Sequence, residues 1–282
     1  MRASDEGQAG DEKGFTDHAT GSIGVFNESL ERSLEKSAVS EKLDRADKVL
    51  VALGHFESRA AAQAAIAAGK VIVGRKTLTK ASEKISLLAK IVAKAEHPWV
   101  SRAGIKLAHA LDVFDVDPTG LHCLDVGAST GGFTQVLLAN GAKCVVSVDV
   151  GRDQLHASLR SDPRVSSLEA TDARLLTAKH VGAPNLIVCD ASFISLHKLL
   201  SVPLALAAAD GQLIALFKPQ FEVGRDHVGK GGIVTDQAVT RGAEDAFVAW
   251  LLEQGWRVRA RADSPIKGGD GNAERLIYAA RT

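Results

Sequence analysis

The chain of 282 residues lacks the marks of a membrane or secreted protein. No apolar run approaches the ~20 residues that cross a bilayer, and no basic stretch followed by an apolar one opens it as a signal peptide would. A cytoplasmic location without a membrane partner is expected. Cysteine is scarce: Cys123, Cys144 and Cys189 are an odd number, widely spaced, and each lies inside an apolar strand-like run. That excludes a disulfide framework and a zinc site and predicts buried, reduced thiols, with no metal. Net charge is also absent, at a formal zero, which taken whole argues against a nucleic-acid partner. What is present is apolar content, 45% of residues, enough for one large domain and one small one.

The zero net charge hides a segregation. Residues 1–41 hold four Lys/Arg against nine Asp/Glu and little apolar periodicity, and are expected to form a disordered acidic tail. Residues 42–110 hold thirteen Lys/Arg against five acids, the footprint of a module that binds a phosphate backbone, although such a run is also compatible with a solvated face. In this block Val49, Leu50 and Leu53 fall on one face of a short helix ended by Gly54. Ser58 is placed to cap a second, alanine-rich helix ended by Gly69, and a strand Lys70–Val73 follows.

Beyond it, strand-like and helix-like segments alternate, the signature of a parallel sheet flanked by helices. Strands are expected at 121–126, 143–149, 165–169, 185–190, 211–217, 256–262 and 275–280, and a helix at 236–254, where Val239, Ala243, Ala246, Phe247, Trp250 and Leu251 recur every three or four residues. The run Leu124-Asp-Val-Gly127-Ala-Ser129-Thr130-Gly131-Gly132-Phe133-Thr134 breaks an apolar strand into a glycine-rich turn that opens a helix. Asp149 ends the next strand, where a doubly wound sheet presents a carboxylate to a ribose diol. A dinucleotide site wants G-x-G-x-x-G, but Ser129 stands where its second glycine would be, and no Gly-Lys-Ser/Thr follows as in a phosphate loop. The turn suits S-adenosyl-L-methionine better. A nicotinamide-type oxidoreductase and glycines kept only for packing remain the competing readings.

Cofactors in such sheets bind at the carboxyl ends of the strands. Asp172, Asp190 and Lys218 stand there, Glu274 immediately precedes the last strand, and Lys106 lies in a helix begun by Ser101 whose apolar face is Leu107, Leu111 and Phe114. Singly, each is readable as a solvated residue or a structural ion pair. Together with the glycine turn they form a constellation.

Two resemblances follow. Arg45-Ala-Asp47, Gly54, Ser58-Arg59, Ile66, Gly69-Lys70-Val71 and Val73-Gly74 resemble the RNA-binding module shared by ribosomal protein S-four and pseudouridine synthases. That resemblance implies RNA contacts from Arg45, Lys48, Arg59, Lys70 and Arg75. Ser101-Arg-Ala-Gly-Ile-Lys106, Asp125–Thr134, Asp190-Ala-Ser-Phe-Ile-Ser195, Phe217-Lys-Pro-Gln-Phe-Glu222 and Gly271-Asn-Ala-Glu274 resemble the TlyA family, often labelled hemolysin, in which an FtsJ-like methyltransferase follows the S-four-like module. The implied architecture is α/β, a Rossmann-like class I methyltransferase sheet behind a small α+β RNA-binding domain. Its boundaries are 42–94 for the RNA-binding domain, 95–101 for a linker and 102–282 for the catalytic domain.

The same resemblance implies an active-site tetrad of Lys106, Asp190, Lys218 and Glu274. It puts the cofactor at Gly127, Ser129, Thr130, Gly131, Gly132, Phe133, Asp149 and Asp172, adds Arg102 to the RNA contacts, and makes the substrate a ribosomal RNA or ribosomal subunit, methylated at a cytidine 2′-hydroxyl. The family usually has two glycines before the first lysine, where this chain has Ala103-Gly104. A poorly nucleophilic ribose hydroxyl must be oriented and relieved of its proton, and Lys218 is the expected base. Free lysine titrates near ~10.4, so burial, Lys106 and a cationic sulfonium must offset the carboxylates beside it. Asp190 is expected to orient Lys218, Lys106 to position the ribose or its phosphate, and Glu274 to complete the charge network. The glycine-rich loop Phe221–Val234, with Arg225 and Lys230, is expected to be mobile and to close over RNA or cofactor, although its glycines are equally readable as a long surface connection. An inactive fold that only binds RNA is the alternative, and a monomer is the default.

Overall fold

The computed structural model describes residues 43–56, 58–95 and 97–282. They fall into two compact units divided between residues 96 and 97. The acidic stretch 1–41 lies outside the described residues.

In the first unit, β1 (Leu43–Arg45) leads directly into α1 (Ala46–Ala52), followed by α2 (Arg59–Ala67), β2 (Val71–Val73), β3 (Lys76–Thr77), β4 (Lys84–Ser86) and β5 (Ile91–Ala93). β1 pairs with β4, and β3-β2-β5 form a small antiparallel sheet. Ser58 Oγ accepts the Ala61 N–H at 3.2 Å and so caps α2. Gly54 and Gly69 end the two helices at φ of +73° and +68°, where a side chain would be strained. Val49 and Leu50 are buried as their spacing predicts, but Leu53 is 42% exposed, because α1 stops at Ala52 and Leu53 turns outward at its cap. The core is small: Ala46, Val49, Leu50, Phe56, Ala62, Ala65, Ile66, Val71, Leu78 and Ile85.

The second unit is built on one seven-stranded sheet. Its elements are α3 (Ala103–Phe114), β6 (His122–Val126), α4 (Gly132–Ala139), β7 (Cys144–Val148), α5 (Ala157–Arg160), β8 (Val165–Leu168), α6 (Ala178–Val181), β9 (Leu186–Cys189), α7 (Leu196–Leu206), β10 (Gln212–Phe217), α8 (Pro219–Glu222), α9 (Gln237–Glu253), β11 (Trp256–Asp263) and β12 (Arg275–Arg281). The strand order is β11-β12-β10-β9-β6-β7-β8. Every expected strand is found to within a residue at each end. β10, β9, β6, β7 and β8 are mutually parallel, whereas β12 runs antiparallel to β10, and β11 to β12. The sheet is thus parallel through its five central and outer strands, with β11 and β12 added as an antiparallel pair: residues 264–274 return the chain so that β12 enters beside β10 in the reverse sense.

Period-two alternation sorts the strand residues onto two faces. Leu124, Val126, Ile187, Cys189, Leu213, Ala215, Phe217, Ile277 and Ala279 pack under α7 and α9. Cys123, Leu186, Val188, Ile214, Leu216 and Leu276 pack under α3 and α4. Both faces of the central strands are therefore covered, as their continuous apolar runs require. Cys123 and Cys189 are buried free thiols that burial pushes up to about 12. Cys144, expected buried, is half-exposed at the start of β7.

Residues 97–101 pack as part of this second unit. The Val100 N–H donates to Gln135 Oε1 at 2.6 Å, and Trp99 packs against the core. The helix expected to begin at Ser101 begins at Ala103, with Ser101 O accepting the Gly104 N–H at 3.1 Å.

Candidate active site

The carboxyl ends of β6, β7, β9 and β10 open into two adjoining cavities of about 530 Å³ and about 610 Å³. Gly127, Ser129, Asp190, Ser192 and Phe193 line both, so these residues form the wall where the two lobes meet. Gly127 has φ +81°, and a Cβ there would come within 2.9 Å of the Ala191 Cα, so only glycine lets the β6 turn reach the end of β9.

The larger lobe is lined by Asp149, Asp172 and Asp190 together with Val126, Ile194 and Leu199. Asp149 Oδ2 accepts the Ser129 N–H at 2.8 Å and Oδ1 accepts the Gly151 N–H at 2.7 Å, which fastens the glycine turn to the end of β7. Its remaining lone pairs are open to a diol. Ser129 sits at φ +47°, and its hydroxyl donates to Gln154 Oε1 at 3.0 Å. Asp172 is gripped by Arg174, Nη2 to Oδ2 at 2.5 Å, which holds its carboxyl below the usual range.

Gly131 and Gly132, expected at the cofactor, line neither cavity. A Cβ on Gly131 would collide with Leu159 and Leu155, and one on Gly132 with Ser101 and Gly104. Their smallness serves helix packing behind the site. Thr130 and Phe133 line the smaller lobe.

That smaller lobe gathers Lys106, Asp190, Lys218 and Glu274, drawn from α3, the end of β9, the end of β10 and the approach to β12. They form two ion pairs. Lys218 Nζ lies 2.6 Å from Asp190 Oδ1 and donates to Ser192 Oγ at 2.9 Å. Lys106 Nζ lies 2.5 Å from Glu274 Oε2, with side-chain exposures of 9% and 2%. Glu274, expected to complete the charge network, pairs with Lys106 and lines the same lobe as Lys218. Among the described residues no cluster of three or more His, Cys, Asp or Glu side chains is arranged to hold a metal.

Gly104 explains the Ala103-Gly104 departure. A Cβ on Gly104 would come within 2.4 Å of Trp99 Cγ, so a side chain there would push Trp99 aside, whereas the Ala103 methyl sits 3.2 Å from where a Gly132 Cβ would be and is accommodated.

Several contributors escaped the sequence reading. Phe193 is 90% exposed at φ +67°, and its ring meets Phe221 at a centroid distance of 5.2 Å, placing an aromatic pair on the rim of the smaller lobe. Lys267 joins Arg102 on the same wall, and Arg102 Nη2 donates to Lys267 O at 3.2 Å. Asn272 is 3% exposed; it accepts the Val234 N–H at 2.9 Å and donates to Gly232 O at 2.8 Å. The loop Phe221–Val234 therefore carries two 3₁₀ turns and is pinned at its far end to the segment bearing Glu274. Asp125, beneath the turn, is fully buried, accepts from Thr134 Oγ1 at 2.7 Å and is pushed up to about 7 by burial.

In the first unit, Asp47 is fully buried and binds two of the expected RNA-contact residues. Arg45 Nε donates to it at 3.0 Å and Arg59 Nη2 at 2.8 Å, with Gln63 Nε2 at 2.7 Å. The two arginines hold its carboxyl far below the usual range. Lys48 lies 3.7 Å from Asp44, while Lys70 and Arg75 are exposed around β2.

Comparison with known proteins gives consistent matches. An FtsJ-like methyltransferase family model matches residues 99–281, and an S4 domain model matches residues 44–87. The chain is 42% identical over 237 residues to the 16S/23S rRNA (cytidine-2′-O)-methyltransferase TlyA of Mycobacterium tuberculosis, covering 83% of this chain and 88% of that protein. It is 40% identical over 197 residues to the 23S rRNA (cytidine-2′-O)-methyltransferase TlyA of Campylobacter jejuni, covering 69% of this chain and 73% of that one. A solved hemolysin-labelled protein of Streptococcus thermophilus superposes with a TM-score of 0.68 at 38% identity, over 86% of this chain and 90% of the other.

Proposed function

The chain belongs to the TlyA family, with an S4 domain ahead of an FtsJ-like methyltransferase domain, and on that premise we propose that it methylates a cytidine 2′-hydroxyl of ribosomal RNA with S-adenosyl-L-methionine as donor. The observation that carries the choice of cofactor is the charge of the larger lobe. Asp149, Asp172 and Asp190 face it; Arg174 is bound to Asp172 and Lys218 to Asp190, so Asp149 carries the uncompensated charge, and no other cationic side chain among the described residues lines the lobe. A dianionic pyrophosphate would be repelled there, whereas a cofactor carrying an ammonium and a sulfonium is attracted. This favours adenosylmethionine over a dinucleotide. The lobe volume, about 610 Å³, lies in the range of small-molecule sites.

When bound, the cofactor supplies an electrophilic methyl group. Asp149 would hold its ribose diol, and Ile194 and Leu199 would offer apolar surface to its base. The chain's own residues do the rest. Lys218 Nζ, once it has released one proton of its own to solvent, takes the proton of the 2′-hydroxyl as the methyl leaves the sulfonium, with Asp190 and Ser192 fixing the amine's direction. Lys106, fixed by Glu274, positions the ribose or its phosphate. Phe193 and Phe221 provide a stacking surface for a base turned out of its helix. Phosphate contacts fall to Arg102 at the site and to Lys70 and Arg75 on the S4 domain, with Arg45 and Arg59 held in a fixed fork by Asp47.

The names of the Mycobacterium tuberculosis and Campylobacter jejuni methyltransferases share 23S rRNA, so the large subunit is the first substrate to test, in the cytoplasm where ribosomes are assembled. No helix among the described residues is long and apolar enough to cross a membrane, and a lytic activity has no support in the geometry. The test is transfer of labelled methyl from adenosylmethionine to ribosomal subunits lacking the modification, mapped by 2′-O-methyl-sensitive primer extension. Transfer at one cytidine, lost in Lys218→Ala, is the expected result. Cofactor binding without transfer to either subunit or to free RNA would refute it in favour of a binding role.

A further inference from the structure

Glu222 closes the Phe217–Glu222 motif yet faces neither lobe of the site. Its carboxylate turns away from the cavities and accepts the Leu196 N–H at 2.8 Å. Leu196 is the first residue of α7, an 11-residue helix whose own N-cap, Ser195, makes no side-chain cap. An orphan N–H at a helix start normally finds a local serine, threonine, asparagine or aspartate. Here the acceptor comes from another part of the chain, 26 residues further on. The carboxyl is buried enough to be pushed up to about 7, opposed only by that N–H. Holding an acidic side chain there costs stability unless the position does something else.

The two segments that it joins are those that carry the Lys218–Asp190 pair. Lys218 is the N-cap of α8, and Glu222 is its last residue. Asp190, Ser192 and Phe193 lie on the strand-to-helix loop that α7 terminates. Three links cross between these segments: Lys218 to Asp190 and Ser192, Phe221 to Phe193, and Glu222 to Leu196. The first is part of the chemistry and the second is on an exposed rim. The third, half-buried, is set back from the reacting atoms.

We propose that Glu222 is a positioning residue, clamping the Lys218 turn to the Asp190–Ser195 loop so that the lysine amine and its orienting carboxylate keep one geometry. The role rests on the methyltransferase reading given above. The clamp needs an acceptor at the reach of a glutamate and does not need its charge. Three variants separate these requirements. Glu222→Gln keeps both reach and acceptor, Glu222→Asp keeps the charge but shortens the reach, and Glu222→Ala removes everything.

The experiment is single-site methyl transfer to deficient ribosomal subunits by the full chain. It is combined with calorimetric binding of adenosylmethionine and amide hydrogen exchange of the peptide containing Leu196, all below the unfolding temperature of each variant. Glu222→Gln should work within about twofold of wild type with a protected Leu196 amide. Glu222→Asp and Glu222→Ala should lose roughly ten- to hundredfold in kcat, the scale of a misplaced catalytic group. Their KM for RNA and affinity for the cofactor should hold, and Leu196 should exchange faster. Folded Asp and Ala variants with wild-type kcat would overturn the clamp, as would a Gln variant as slow as the Ala one. A wild type that binds cofactor but transfers nothing would overturn the methyltransferase reading itself, a result distinguishable because it appears before any substitution is made.

Discussion

Replacing Lys106 by methionine would leave Glu274 with 2% of its side chain exposed and no cation beside it. A buried carboxylate stripped of its partner costs about 3–5 kcal/mol, so Lys106→Met should unfold at clearly lower urea. Glu274→Gln should be less damaging, because the amide oxygen still accepts from the Lys106 ammonium, which is itself 9% exposed. The informative variant is the double one. With both charges gone and methionine filling much of the lysine volume, Lys106→Met/Glu274→Gln should recover to within about 2 kcal/mol of wild type. Trp99, Trp250 and Trp256 all lie in the second unit, so their fluorescence in a urea titration reports on that unit alone. Methyl transfer should be lost in all three variants, since the restored fold lacks the tetrad charges. Two outcomes would refute this reasoning. Single-variant costs that simply add in the double variant would mean that the two groups are not a coupled pair, and an active double variant would remove both from the chemistry.

Asp125 is raised from 3.8 to about 7 by burial. The folded protein thus holds a proton that the unfolded chain releases, so this contribution is full below the ordinary carboxylate range and is lost as the pH climbs through about 7. The shift corresponds to on the order of 4 kcal/mol; Asp125→Asn should flatten urea midpoints measured from pH 4 to pH 8, and an unaltered slope would contradict the assignment. Gly104→Ala should destabilise by about 1–3 kcal/mol through overpacking against Trp99, whereas Ala103→Gly should change the thermal midpoint little; equal effects would count against the Trp99 contact. Phe193→Ala should weaken RNA binding by about 1–3 kcal/mol, the worth of one stacked base, with adenosylmethionine affinity falling far less; calorimetry with each ligand separates the two, and an unchanged RNA affinity would remove the aromatic pair from recognition.

The part of this protein that the sequence discloses is set by period and by punctuation. Leu213 to Phe217 reads as a strand because both of its faces are apolar, and the sheet indeed buries both; Lys218 is conspicuous because it interrupts that run at the carboxyl end, where a parallel sheet opens. Gly127 is conspicuous for the same reason. What pattern does not disclose is which partner each such residue takes. Glu274 is 56 positions from Lys218 and 168 from Lys106, and it pairs with the more distant one because β12 enters the sheet antiparallel, a feature of topology rather than of local sequence. The same limit hid Glu222: its motif was visible, but its use depends on a backbone N–H with no side-chain signature. Gly131 and Gly132 mark the opposite limit, since a glycine in close contact with a helix and one beside a ligand are written alike. Motifs at strand ends therefore nominate the chemistry, and the hydrogen bonds made far along the chain decide how the nominees divide it, as the separate Lys218–Asp190 and Lys106–Glu274 pairs do here.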